Sequence, residues 1–202
     1  RACKLAAALA RLGVRQGDRV ATLCWNHREH LEAYLGIPAM GAVVHTLNLR
    51  LHPTELAYIA NHAEDKVVIV DRELLPLFDK FKAEIKSLQH VIVVPDDYER
   101  LIAAESGFTL PELDENAAAM LCYTSGTTGN PKGVLYSHRS TVLHAMAAST
   151  RDALGIGGAD TVLAVVPMFH AAAWGLPYVA VLSGAKIVFP GPHLDPPSLL
   201  TM

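Results

Sequence analysis

Apolar residues recur along this chain in two alternating rhythms. Leu5, Leu9 and Leu12 stand at i, i+4 and i+7 in an Ala-rich opening stretch, one face of a helix over residues 1–12. Gly13–Asp18 is turn material, and Arg19–Trp25 then reads as a short buried strand. The alternation continues with a helix over Arg28–Met40, a strand over Ala42–Leu47 and a helix opening at Pro53, where the fixed φ of proline suits a first helical position. A strand over Lys66–Asp71, a helix over Leu74–Lys86 and a strand over His90–Val94 follow. Asp97–Asn116 is mixed and polar and reads as a connection, a place for a subdomain junction. Beyond it the pattern predicts strands over Ala117–Tyr123, Thr161–Val166 and Lys186–Phe189 and a helix over Ser140–Leu154. Short β-branched runs separated by helices predict parallel strands with crossover helices, an α/β fold of layered sheets with flanking helices.

Both ends look cut. Arg1 already lies within helical sequence with no capping side chain before it. Asp195 and Pro196 form the N-cap and first position of a helix with only a few residues left to run. The expectation is a piece of a longer polypeptide, whose own N-terminal signals are not on view. Thr161–Ala185 carries no formal charge, but Pro167, Gly175, Pro177 and Gly184 interrupt it, so buried core and no membrane span is the reading.

Composition narrows the function. Lys plus Arg number 17 against 20 Asp plus Glu, which excludes a general nucleic-acid binder. Apolar residues make up 51% and charged residues 18%, so the chain can build a core, with a surplus to be buried against further protein or a second subunit of a homodimer. Cys3, Cys24 and Cys122 are widely spaced, which suits reduced thiols of a cytoplasmic protein better than disulfides or a zinc ribbon. His27 and His30 lie one helical turn apart, yet the sequence places no cysteine or carboxylate cluster at ligand spacing beside them.

The chemistry is concentrated in Tyr123-Thr124-Ser125-Gly126-Thr127-Thr128-Gly129-Asn130-Pro131-Lys132-Gly133. Its glycines permit close backbone approach, its hydroxyls and N–H groups can converge on one anion, and Lys132 adds positive charge. These are the parts of a triphosphate cradle. The spacing is not that of a Walker A loop, because Lys132 follows Pro131 and precedes Gly133. A dinucleotide G-x-G-x-x-G is also missing from this loop.

This stretch resembles the AMP-binding signature of the adenylate-forming superfamily. Asn48-Leu49-Arg50-Leu51 with Glu55–Ile59, Pro167-Met168-Phe169-His170, Trp174-Gly175-Leu176-Pro177 and Gly184-Ala185-Lys186 resemble further blocks of its fatty acyl-CoA synthetase branch. The resemblance implies an incomplete N-terminal adenylation domain over residues 1–202, with the C-terminal domain absent. It implies ATP-dependent activation of a medium- or long-chain carboxylic acid to an acyl-adenylate, then transfer to coenzyme A. Thr124 would ligate Mg²⁺, Ser125, Gly126, Thr127, Thr128 and Gly129 would line the phosphates, and Lys132 would support the loop or its charge balance. His170 would lie near the acyl carboxylate, and Trp174, four residues on, would border the acyl pocket and share its face if that segment is helical. Apolar Met168, Ala172, Ala173 and Trp174 suit an alkyl chain, and no Asp stands in this block to hold an amino-acid ammonium. The acidic partner of Mg²⁺, the ribose-binding Asp and the catalytic Lys have no counterpart in these residues. Alternatives that keep the loop are an aryl- or luciferin-like-acid adenylating enzyme and a non-catalytic nucleotide- or acyl-binding module.

Overall fold

In the computed structural model, which describes residues 1–124 and 129–202, the main sheet has the order β4–β3–β1–β2–β5–β6. Its strands are β1 (Arg19–Leu23), β2 (Val43–Thr46), β3 (Asp65–Asp71), β4 (His90–Val94), β5 (Ala118–Thr124) and β6 (Lys132–Ser137). β1 to β5 pair in parallel, as their crossover helices require, and β6 returns antiparallel to β5. The parallel strands are as expected; β6, which the sequence pattern did not pick out, adds an antiparallel edge. The phosphate-type loop is short enough to close a hairpin, so β6 turns back along β5.

Alternation along β1 sorts the two faces. Val20 faces one core with α1 (Ala2–Arg11), α2 (Arg28–Ala39) and α5 (Asp96–Ala103). Ala21 and Leu23 face the other, with α3 (Pro53–Ala63) and the short α4 (Leu75–Phe78). α3 starts at Pro53 as expected, capped by His52 with Glu55 closing a capping box. The predicted helix over Leu74–Lys86 is broken into turns around α4, because Phe78 and Phe81 turn inward together as an edge-to-face pair 5.4 Å apart. The first part of the predicted connection, residues 97–103, belongs instead to α5. Asp96, Asp97 and Glu99 suit its positive N-terminal end, and Tyr98 and Ile102, one turn apart, are buried. Strands on both sides of that segment belong to one sheet.

A second sheet pairs β7 (Thr161–Leu163) with β8 (Lys186–Val188) in parallel, shorter strands than expected. α6 (His138–Ala148) precedes β7, and α7 (Leu176–Ser183) runs between β7 and β8; α8 (Pro196–Leu199) is capped by Asp195 as the sequence predicts. α6 stops at Ala148, earlier than Leu154. Asn26 ties the sheets together: its buried side chain donates to the carbonyls of Ala164 (2.7 Å) and Val166 (2.8 Å) and accepts from the Met168 N–H (2.7 Å). The Tyr34 hydroxyl donates to the Met168 carbonyl from α2. The apolar surplus emerges on adjoining elements: Leu135 on β6, Val142, Leu143 and Met146 on α6, and Val181 and Leu182 on α7 are exposed. Among the described residues, no helix is long and apolar enough to cross a membrane.

Candidate active site

In a parallel sheet the carboxyl ends of the strands are where loops can gather functional side chains. β5 ends at Thr124 and β6 begins at Lys132, and these two residues face one another in the antiparallel register. Both are exposed, as is Gly129, whose φ of 152° favours glycine. Ser125, Gly126, Thr127 and Thr128 lie outside the described residues.

His170 is exposed, and its Nδ1 stands 3.4 Å from Asn48 Nδ2 in the segment that follows β2. Beside it Phe169 is buried, edge-to-face with Trp25 at 5.8 Å, while the Arg50 guanidinium lies 5.5 Å from the Phe169 ring centroid. Asn48 and Arg50 were visible in the sequence only as part of a block and received no role there. Their position next to His170 depends on a contact across 122 residues.

Ala171, Ala172, Ala173 and Trp174 all have left-handed backbone, with φ of 45°, 53°, 49° and 56°. The i, i+4 argument for a shared face of His170 and Trp174 assumed a right-handed helix and does not apply to this turn. Non-glycine residues in this region cost on the order of 1 kcal/mol each, a cost that tends to persist at functional sites. Trp174 is 68% exposed, and its carbonyl accepts a 3.0 Å hydrogen bond from His144 Nε2. Next to the turn lies a cavity of about 590 Å³ lined by Met120, Tyr136, His144, Ala172, Trp174 and Tyr178. A larger open groove of about 1190 Å³ sits at the amino ends of the strands, between Arg19, Lys66 and Gln89, away from the loop.

The fold also brings Asp71 beside His27, with Cys24 three residues before it in the chain; Cys24 Sγ, a ring nitrogen of His27 and an Asp71 oxygen lie within 4.8 Å of one another. Each of these atoms already has a protein partner. His27 Nε2–H donates to Asp71 Oδ1 (2.8 Å), Asp71 Oδ2 accepts from the Trp25 N–H (2.8 Å), and the Cys24 thiol donates to the Ile69 carbonyl (3.5 Å). Burial, reinforced by Asp71, pushes the Cys24 thiol well up, so it stays protonated. The group ties β1, α2 and β3 together as a hydrogen-bonded knot.

The whole chain, residues 1–202, matches the family of AMP-binding enzymes. It is 52% identical over 209 residues to a long-chain-fatty-acid–CoA ligase of Thermus thermophilus, covering all of this chain and 38% of that protein. It is 46% identical over 211 residues to a 3-methylmercaptopropionyl-CoA ligase of Ruegeria pomeroyi, covering 98% and 39%. Among solved structures, the inhibitor-bound N-terminal domain of FACL13 from Mycobacterium tuberculosis superposes with a TM-score of 0.83 at 31% identity, covering 92% of this chain and 47% of that one. The chain thus spans about two fifths of the length of the curated relatives it matches.

Proposed function

The chain belongs to the family of AMP-binding enzymes, and on that premise we propose that its full-length polypeptide is an acid–thiol ligase for medium- or long-chain fatty acids. The acid's carboxylate oxygen attacks the α-phosphorus of ATP, the bond to the bridging oxygen breaks, and pyrophosphate leaves. The thiol of coenzyme A then adds to the acyl carbonyl, losing its proton, and AMP departs. Little covalent work falls to the protein in such a step; positioning and fixed charge supply most of the barrier reduction.

The observation that carries the reading is the apolar-lined cavity beside the His170 turn, on the sheet that presents Thr124 and Lys132 at its strand ends. An alkyl chain held there would bring its carboxylate toward His170. In this reading His170 and Asn48 orient the carboxylate, Trp174 covers the mouth of the cavity, and the loop's N–H groups and hydroxyls from Ser125 to Gly129 hold the phosphates. Lys132 balances their charge. The exposed Thr124 hydroxyl, an oxygen donor of the kind Mg²⁺ takes, would be one ligand of an ion that neutralises phosphate charge. A hydrocarbon tail is favoured over a zwitterionic amino acid because Met168, Phe169, Ala172 and Ala173 are buried around the turn without a carboxylate among them.

The test is ATP–pyrophosphate exchange by the full-length polypeptide against a panel of acids: acetate, 3-methylmercaptopropionate, C6 to C18 fatty acids, and benzoate. Stimulation that rises with chain length supports the reading. Strongest stimulation by benzoate or by the short acids would replace the acid, and no stimulation by any carboxylate would remove the ligase.

A further inference from the structure

Tyr123, the residue immediately before Thr124, is held from three directions. Its hydroxyl is 2.6 Å from His62 Nδ1 on α3, and the His62 ring is in turn stacked on Tyr58 at 5.6 Å. Its ring meets the ring of His45 on β2 at 5.2 Å. His45 is fully buried and donates from Nδ1 to the carboxylate of Asp65, also fully buried, at 2.9 Å from both oxygens. Third, Tyr123 stands opposite Gly133 across the β5–β6 ladder, where a Cβ on Gly133 would come 3.2 Å from Tyr123 Cζ. The phenol ring therefore covers the bare backbone of the residue that follows Lys132.

Burying an imidazole and a carboxylate together is costly, and such pairs are weak contributors to stability. What this pair does achieve is a fixed ring plane, because a hydrogen-bonded His45 cannot turn without stranding Asp65. Burial, and behind it the Asp65 charge, pushes the Tyr123 phenol up to about 12, so it remains an O–H at physiological pH and can donate to His62.

We propose that Tyr123 is a positioning residue for the phosphate loop, its hydroxyl held by His62 and its ring held between the His45–Asp65 pair and Gly133, so that one side chain fixes both ends of the loop. This rests on the nucleotide-activating role proposed above. Tyr123 acts through Thr124, its neighbour on β5, and through Gly133, which follows Lys132 on β6, so the strand ends that carry the hydroxyl and the ammonium are held in place before MgATP binds.

The experiment compares full-length wild type with Tyr123→Phe, His62→Ala and the double variant. It measures KM for MgATP and for the acid, the equilibrium Kd for MgATP by calorimetry, and Tm. Loss of one hydrogen bond should raise both the MgATP KM and Kd about three- to tenfold, with acid KM within about twofold of wild type. The double variant should be no worse than the weaker single variant, because both remove the same bond. A merely structural tyrosine would lower Tm and affect both substrates alike. That outcome, an MgATP Kd within about twofold of wild type, or additive losses in the double variant would overturn the proposal. If Tyr123→Phe does not fold, His62→Ala, at an exposed position, carries the measurement alone. Wild type that binds MgATP but exchanges with no acid removes the ligase reading and leaves the Kd comparison to decide this one. Wild type that binds no MgATP overturns both.

Discussion

Thr124 and Lys132 face each other on the last rung between β5 and β6, so the hydroxyl and the ammonium that bracket the loop project from one face of one ladder. A sequence separation of eight residues is thereby converted into a cross-strand pair. In full-length protein, Thr124→Ala and Lys132→Ala should each lower the rate of acid-dependent exchange on the order of 100-fold. Both are exposed, so stability should stay within about 0.5 kcal/mol of wild type. An unchanged exchange rate would remove that residue from the site.

Asn26 holds the Ala164–Met168 segment, and with it the base of the His170 turn, through three buried hydrogen bonds. Asn26→Ala removes all three and strands two carbonyls and an N–H. Urea unfolding should show a loss of about 2–4 kcal/mol. Exchange activity should fall further than the folded fraction does, because the segment under His170 is loosened. A variant as stable as wild type would show that the two sheets are tied elsewhere.

His30 is buried with its Nδ1–H donated to the Trp25 carbonyl (2.9 Å) and its Nε2 accepting from the Thr22 hydroxyl (3.0 Å). Burial, with the neighbouring His27 charge, pushes its pKa down to about 3. The unfolded chain, with an ordinary histidine value of about 6.5, then binds the extra proton first as pH falls. The penalty is zero above about 6.5 and grows by about 1.4 kcal/mol per pH unit on the way down toward 3. Urea midpoints at pH 7.5, 6 and 5 should fall steeply for wild type and less steeply for His30→Gln. Parallel slopes would mean that His30 is protonated in the folded state.

Gly36 lets α2 approach the start of α1 closely: a Cβ there would stand 2.6 Å from the Ala2 carbonyl oxygen. Gly36→Ala should destabilise by about 1–3 kcal/mol, since backbone must move. It should leave the KM values unchanged, because the contact lies on the helical layer away from the strand ends. Thermal unfolding and exchange kinetics together check this, and a rise in the MgATP KM would show that the α1–α2 contact reaches the site.

Much of this protein is local and can be read from residues that are close neighbours in the chain. The 3.6-residue spacing of Leu5 and Leu9, the β-branched runs of β1, β3 and β4, the proline at the start of α3 and the Asp195 cap each act through neighbours a few residues away. The loop from Tyr123 to Gly133 is legible for the same reason, since its residues are consecutive. α5 could have been read from its acidic first turn and the Tyr98–Ile102 spacing, but its polar composition masked a helix with only one narrow buried face.

The remainder rests on long-range packing. The strand order β4–β3–β1–β2–β5–β6, the reversal of β6 and the left-handed turn after His170 depend on which distant surfaces had to be covered. Asn48 meets His170, and Tyr123 meets His45 and His62, across separations of 61 to 122 residues. Such contacts leave no periodic trace, because burial rewards whichever groups the fold brings together and is indifferent to their distance along the chain.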